Sequence, residues 1–300
     1  MELWIPVTLM AAFAQTIRFM AQKQLKTAGL STGGATFARF IYSAPLVAVL
    51  ILVYANASDQ NMPATNGRFW IYAMSGGIAQ IFATMCVVAI FSHRNFAVGI
   101  TFKKSEVVMT AVVSYLILSE GVGVAGGLAI GIGLIGVLIL SDPPGGEGAF
   151  IERIFNKAAG LGILSGVFFA ISAVGYRGAS LSLESGDTVL RAGTTLAIVT
   201  ASQTIAMALW LAWRERGQIL AVLKAWRVAA LVGVTSMIGS FCWFTAFTLQ
   251  NVAYVNALGQ VELIFSIAAS ALFFKEKITR REYTGIAVLT VGILVLILFS

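Results

Sequence analysis

Apolar stretches of about twenty residues follow one another through this chain of 300 residues, separated only by short polar turns. That repetition restricts what the chain can fold into. A helix needs about 20 mostly apolar residues to cross about 30 Å of hydrocarbon, and inside lipid its backbone must satisfy its own hydrogen bonds. The pattern predicts ten spans, roughly 3–22, 33–54, 69–91, 97–118, 122–140, 159–178, 188–212, 227–247, 253–274 and 282–299. Only 11% of residues are charged and the mean hydropathy is +0.89, whereas a soluble domain carries about 25% charged residues. The expected fold class is therefore an all-α integral membrane protein. The first segment, "MELWIPVTLMAAFAQTIRFM", lacks the basic start and small-residue cleavage site of a secretory signal, so it is read as the first span. Cys86 and Cys242 fall inside apolar segments, and no disulfide is expected between them.

Turn chemistry marks the joints: "NASDQNMPATNG" at 56–67, "SDPPGGEG" at 141–148 and "SLESGD" at 182–187. The proline-glycine stretch near the middle divides the chain into a first five-helix unit over 1–140, a linker over 141–158 and a second unit over 159–300. Lys and Arg concentrate in odd-numbered connections, among them Lys23, Lys26, Arg94, Arg153, Arg214, Lys224 and Arg281, while even-numbered ones offer Arg68 and Arg177, with Arg191 at the edge. By the positive-inside rule the odd connections are cytoplasmic and both termini lie outside, which for a bacterial inner membrane is the periplasm. The net charge of +7 thus reads as a topology signal, and no nucleic-acid partner is expected.

Two stretches, "KKSEVVMTAVVSYLILSE" at 103–120 and "GQVELIFSIAASALFFKE" at 259–276, carry acids in the same pattern. Glu262 lies 156 residues after Glu106, and Glu276 lies 156 after Glu120; the same offset relates Cys86 to Cys242, Gly77 to Gly233, Ser114 to Ser270 and Gly136 to Gly292. One register held across the second part of each half reads as an internal repeat. Five helices per copy is an odd number, so the second copy enters the membrane in the opposite sense. Inverted repeats of this kind enclose a substrate site near the bilayer midplane in secondary transporters.

Fourteen residues separate Glu106 from Glu120, about 21 Å of helix, which places Glu106 deep in the bilayer. Thr110 and Ser114 follow at four-residue steps, and Glu262, Ser266 and Ser270 form the matching stripe. Ionisable groups at such depth cost several kcal/mol unless they face protein or water, so both stripes are expected to point inward. The candidate substrate-binding or coupling residues are Gln15, Arg18, Gln80, Lys103, Glu106, Thr110, Tyr176, Trp243, Asn256 and Glu262. Further polar residues of the same belt are Gln22, Arg39, Thr84, Ser172, Gln203, Ser240 and Gln260. Spans 1, 3, 4, 6, 8 and 9 are expected to line the cavity. Lys103 and Lys104 differ by about 100° around a helix, so Lys103 is expected to share the face of Glu106 while Lys104 turns away. Arg39 fits an anion contact and an interfacial anchor equally well. Glu120 and Glu276, at helix ends, are expected to be structural parts of the repeat. Gly123, Gly127 and Gly131 form a row suited to close helix packing, inside the chain or at a dimer contact, and His93 falls in a short connection.

"YLILSEGVGVAGGLAIGIGLIGVLIL" at 115–140 and "LFFKEKITRREYTGIAVLTVGILVLIL" at 272–298 resemble the drug/metabolite transporter superfamily, EamA type. That resemblance implies two copies of a five-helix unit, a central cavity and similarity to aromatic amino acid exporters of the YddG type. The lysines of "KKSE" at 103–106 depart from many relatives, so the substrate does not carry over. The resemblance and the buried acids point to a secondary transporter, not an enzyme, that moves a small polar organic metabolite by alternating access. An amino acid or related compound, exported, is the leading substrate class, with import or exchange of another metabolite or organic ion as the alternative. Proton or ion coupling falls to the buried acids, and no cofactor or metal is expected. Because the chain carries its symmetry internally, a monomer or weak homodimer in the lipid bilayer is expected. A membrane enzyme would need clustered His and carboxylates, and a channel would take its symmetry from subunits.

Overall fold

The computed structural model describes residues 2–91, 103–141, 157–265, 267–268 and 279–299. The helices are α1 (Trp4–Thr27), α2 (Thr32–Ala57), α3 (Gly67–Ile90), α4 (Glu106–Leu118), α5 (Val124–Ser141), α6 (Lys157–Leu181), α7 (Thr188–Arg214), the short α8 (Gln218–Lys224), α9 (Trp226–Leu249), α10 (Val252–Gly259) and α11 (Arg280–Phe299). Seven are long and apolar enough to cross a membrane, and three shorter apolar helices, Glu106–Leu118, Val124–Leu140 and Val252–Phe265, take the places of the fourth, fifth and ninth expected spans. His93, Ser266, Ser270, Glu276 and most of the 141–158 linker lie outside the described residues.

Polar loop residues start the helices as their chemistry requires. The Ser31 hydroxyl accepts from the Gly34 N–H at 2.9 Å, Asn66 from Phe69 at 2.8 Å and Asp187 from Leu190 at 2.8 Å, each satisfying one N–H that a helix start leaves open. Loops also meet across the bundle. The α1–α2 turn joins the segment after α7 through hydrogen bonds of Ser31 to Glu215 and Gln218. The α2–α3 loop joins the start of α7 through Gln60 and Tyr54, which donate to Asp187 at 2.9 and 2.6 Å. Odd connections thus meet odd ones, and even connections meet even ones.

Glycine sets the helix crossings. Gly175 of α6 backs directly onto Gly76 of α3, where an added Cβ would come within 2.9 Å of the Gly76 Cα. On α5 and α11, Gly136 lies against Leu289, Gly292 against Gly133 and Gly285 against Leu140, so residue numbers rise on one helix as they fall on the other. These two helices therefore run antiparallel. The row of Gly123, Gly127 and Gly131, expected to pack either inside the chain or at a dimer contact, does not pack inside it: a Cβ at Gly127 or Gly131 would meet nothing within 4 Å, and one at Gly123 only the Tyr254 hydroxyl at 3.8 Å. An almost wholly apolar helix gives no polarity signal for choosing its inner face.

A Cβ at Gly136 would sit 2.5 Å from the Leu289 nitrogen and 2.8 Å from its Cα. Backbone cannot rotate aside, so Gly136→Val forces the helices apart at a cost of about 1–3 kcal/mol. Gly131→Val, pointing into open space, is expected to leave the melting temperature unchanged. Thermal unfolding of the two purified variants checks the pair.

Candidate functional site

The fourth and ninth spans are broken where the acids sit. Helical geometry stops at Lys104 and Ser105 and resumes at Glu106; it stops again at Gln260 and Val261 and resumes at Glu262. The two breaks are 156 residues apart, the offset that relates the carboxylates. Short i→i+3 bonds close both turns, including Val107 N–H to the Lys104 carbonyl at 3.4 Å and Leu263 N–H to the Gln260 carbonyl at 3.0 Å. Such mid-helix tightening often marks a hinge. Gly166 of α6 permits close approach to the first break, since a Cβ there would lie 2.9 Å from the Ser105 hydroxyl and 3.1 Å from the Lys103 carbonyl. The Trp243 ring lies over Gly259 beside the second break, in the space a side chain would take.

These breaks change the geometry assumed for a continuous helix, and with it the expectation for the lysines. Lys104 does not turn away. It is buried at 1% exposure and ion-paired with Glu262, while Lys103, at 2%, stands 3.1 Å from Glu106 and 3.8 Å from Glu262. The interruption at Lys104 re-aims its side chain into the network that Lys103 shares. Gln15 donates to Glu262 at 2.7 Å and accepts from Arg18 at 3.3 Å; Arg18 also donates to Gln22 at 3.1 Å. This chain of polar contacts runs from α1 to the second break through buried space. Burying paired charges costs desolvation, and only close pairing with added hydrogen bonds offsets it.

A cavity lies between the breaks, with a volume of about 50 Å³ measured at the centres of water-sized molecules. Gln15, Gln80, Lys103, Glu106, Tyr176, Trp243, Asn256 and Glu262 from the expected set line it. Of the remaining two, Arg18 is buried behind Gln15, and Thr110 accepts from Asn256 at 2.9 Å while donating to the Glu106 carbonyl at 2.6 Å. The stripe of Glu106, Thr110 and Ser114 is buried, and so is Glu262. Tyr176 stacks on Phe244 with centroids 4.1 Å apart, and Trp243 stacks on Phe247 at 5.5 Å, forming an aromatic wall from α6 and α9. Gln203 donates to the Gly77 carbonyl at 2.9 Å, to Gln80 at 3.1 Å and to the Tyr176 hydroxyl at 3.3 Å, fixing that wall against α3.

Sequence reasoning left Arg39 outside the candidate set, although it lines the cavity. It is buried at 5% exposure and donates to Thr84 at 3.0 Å and Ser240 at 3.3 Å, so α2 joins the lining and an interfacial anchor is ruled out. Its depth was legible as an intramembrane charge; its partners on α3 and α9 were not. Phe169 and Gln260 also line the cavity.

Glu120 lies at the end of α4. The α4 helix ends at Ser119 in the left-handed conformation, φ 57°, which turns Glu120 back to accept from the Arg177 Nε at 2.9 and 2.8 Å. Arg177 also donates to the carbonyls of Phe247 and Gln250 at the end of α9. One guanidinium thus ties α4, α6 and α9 together on the even-connection side. Arg177→Ala leaves a half-buried carboxylate and two carbonyls without their donor, a loss of about 1–3 kcal/mol. A lowered melting temperature, with partial recovery in Arg177→Lys, is the expected result of thermal unfolding.

This fold, with seven membrane-length apolar helices and three shorter ones among the described residues, defines a multi-pass helical membrane protein. Residues 156–298 match the EamA-like transporter family, part of the drug/metabolite transporter superfamily. No curated protein matches the chain. Among solved structures, one crystal structure of a protein covers 98% of this chain and 96% of its own, with a TM-score of 0.72 and 14% identity. At that identity the likeness shows the fold alone.

Proposed function

We propose that the chain is a secondary transporter that moves a small polar organic metabolite by alternating access, with amino acids and related carboxylates as the leading substrate class and export as the direction. The observation that carries this reading is the cavity between two broken helices, each presenting a glutamate at the same repeat position. The antiparallel crossing of α5 and α11, in which Gly136 and Gly292 occupy equivalent places, supports two inverted five-helix units, over 1–140 and 159–300. Discontinuous helices at the junction of such repeats hold substrate and coupling ions in transporters. A cavity this small accommodates only a few waters, since each needs about 10–15 Å³ by the same measure. A metabolite therefore requires it to widen, as rocking of the halves would allow. The basic odd connections support cytoplasmic loops and periplasmic termini in a bacterial inner membrane. The two basic residues near the even-connection side with resolved partners, Arg177 and Arg191, are engaged with Glu120 and with the Ser180 carbonyl, which leaves the topology signal on the odd side.

Counterflow in proteoliposomes tests the reading. Vesicles loaded with a panel of unlabelled amino acids and organic acids are expected to take up the matching labelled compound faster than protein-free vesicles. Absence of counterflow across the panel at pH 6 and pH 8 refutes a transporter of this substrate class.

A further inference from the structure

Among the described residues, four buried cations, Arg18, Arg39, Lys103 and Lys104, face two buried carboxylates, Glu106 and Glu262. The six belong to one electrostatic cluster: Arg18 lies in the field of Arg39, Lys103 and Glu262, and the lysines lie in the fields of both glutamates. The lysines consume the two carboxylates. Arg18 is held by the amide oxygens of Gln15 and Gln22. Among the described residues Arg39 has no carboxylate partner, and its side-chain hydrogen bonds go to the hydroxyls of Thr84 and Ser240, whereas a guanidinium carries five N–H donors. It therefore brings unused donors and an uncompensated charge to the cavity wall. Two buried polar atoms without a hydrogen bond among the described residues, the Trp243 indole nitrogen and the Gln260 side-chain oxygen, belong to residues that line the same cavity.

Building on the transporter reading, and narrowing its substrate class to members of net negative charge, we infer that the transported solute is an organic anion whose carboxylate docks on Arg39 and whose planar or apolar part lies along Tyr176, Phe244 and Trp243. A carboxylate matches a guanidinium in bidentate geometry, and the aromatic wall supplies apolar area without a charge of its own. A zwitterion leaves the positive excess of the cluster uncorrected, and a cation deepens it. Gln260 adds an acceptor, and the Trp243 indole a donor, for polar substituents on the solute. The charge balance selects among substrates that the cavity shape alone would admit.

Three compounds with one skeleton and different charge test this on the purified full-length protein: 3-phenylpropionate, phenylalanine and phenethylamine, titrated calorimetrically. We expect 3-phenylpropionate to bind at least about tenfold tighter than the other two, a gap within reach of one charge pair in a desolvated site. Arg39→Gln is expected to remove that preference and Arg39→Lys to keep part of it, with size-exclusion profiles showing that both variants fold. Tighter binding of phenylalanine or phenethylamine, no binding of 3-phenylpropionate, or an unchanged preference in Arg39→Gln overturns the inference. Counterflow with the same three compounds separates the two readings. Binding that follows this order without counterflow removes the transporter reading and leaves the anion site. Counterflow of phenylalanine independent of Arg39 does the reverse.

Discussion

Replacing Glu262 with Gln lowers the apparent melting temperature of the purified protein by on the order of 10 °C. Glu262 pairs with Lys104, stands 3.8 Å from Lys103 and accepts from Gln15 at 2.7 Å. Lys104 is 1% exposed, so it has no route to water when its carboxylate is neutralised. Removing one member of a buried pair strands the other charge, and such losses run about 3–5 kcal/mol. Lys104→Met in the same chain removes the stranded ammonium and replaces it with an apolar side chain of similar length. The double variant is therefore expected to recover most of the stability, because an apolar substitute for a buried pair is often neutral or better. Melting curves of the wild type, both single variants and the double variant measure the coupling. A Glu262→Gln protein as stable as the wild type would show that the network does not hold the second break in place.

The count of spans and the inward face of the carboxylate stripe were legible in the sequence, because hydropathy reports the membrane directly and four-residue steps report one helix face. The tie between Gln15 and Glu262 was not, since it joins residues 247 positions apart and depends on how α1 packs. Lys104 was misread for a sharper reason. The rule of about 100° per residue presumes an unbroken helix, and nothing in "KKSEVV" announces that the helix stops at its second lysine. Glycine or proline would have signalled a break; here polar partners on other helices sustain it. Arg39 shows the same limit. Seven residues into α2, it suits an anchor or a buried site equally, and only Thr84 and Ser240 decide between them. The glycine row of α5 turned out not to face a helix of its own chain, because spacing identifies rows of small residues but not which row meets an internal neighbour.

The second large effect concerns transport with little change in fold. Glu106→Gln is expected to cut the counterflow rate by about a hundredfold or more while moving the melting temperature by only a few degrees. The two glutamates differ in what depends on them. Glu106 holds one lysine, Lys103, at 3.1 Å, and that lysine keeps Glu262 at 3.8 Å when Glu106 is neutralised. No ammonium is stranded, so the fold survives. Gln also preserves the volume beside Gly166, where α6 packs against the break at 103–106. What disappears is the negative charge at the cavity wall, in the first turn of α4, where the helix dipole favours an anion. If Lys103 exchanges between Glu106 and Glu262 as the cavity opens and closes, a neutral residue at 106 fixes it on Glu262 and arrests the cycle. Glu106→Asp, with the charge kept on a shorter arm, is expected to retain partial activity, which separates loss of charge from loss of shape. Counterflow rates in proteoliposomes, beside melting curves of the same preparations, supply both readings. Unchanged kinetics in Glu106→Gln would assign this carboxylate to packing and leave the transport cycle to Glu262 and the lysines.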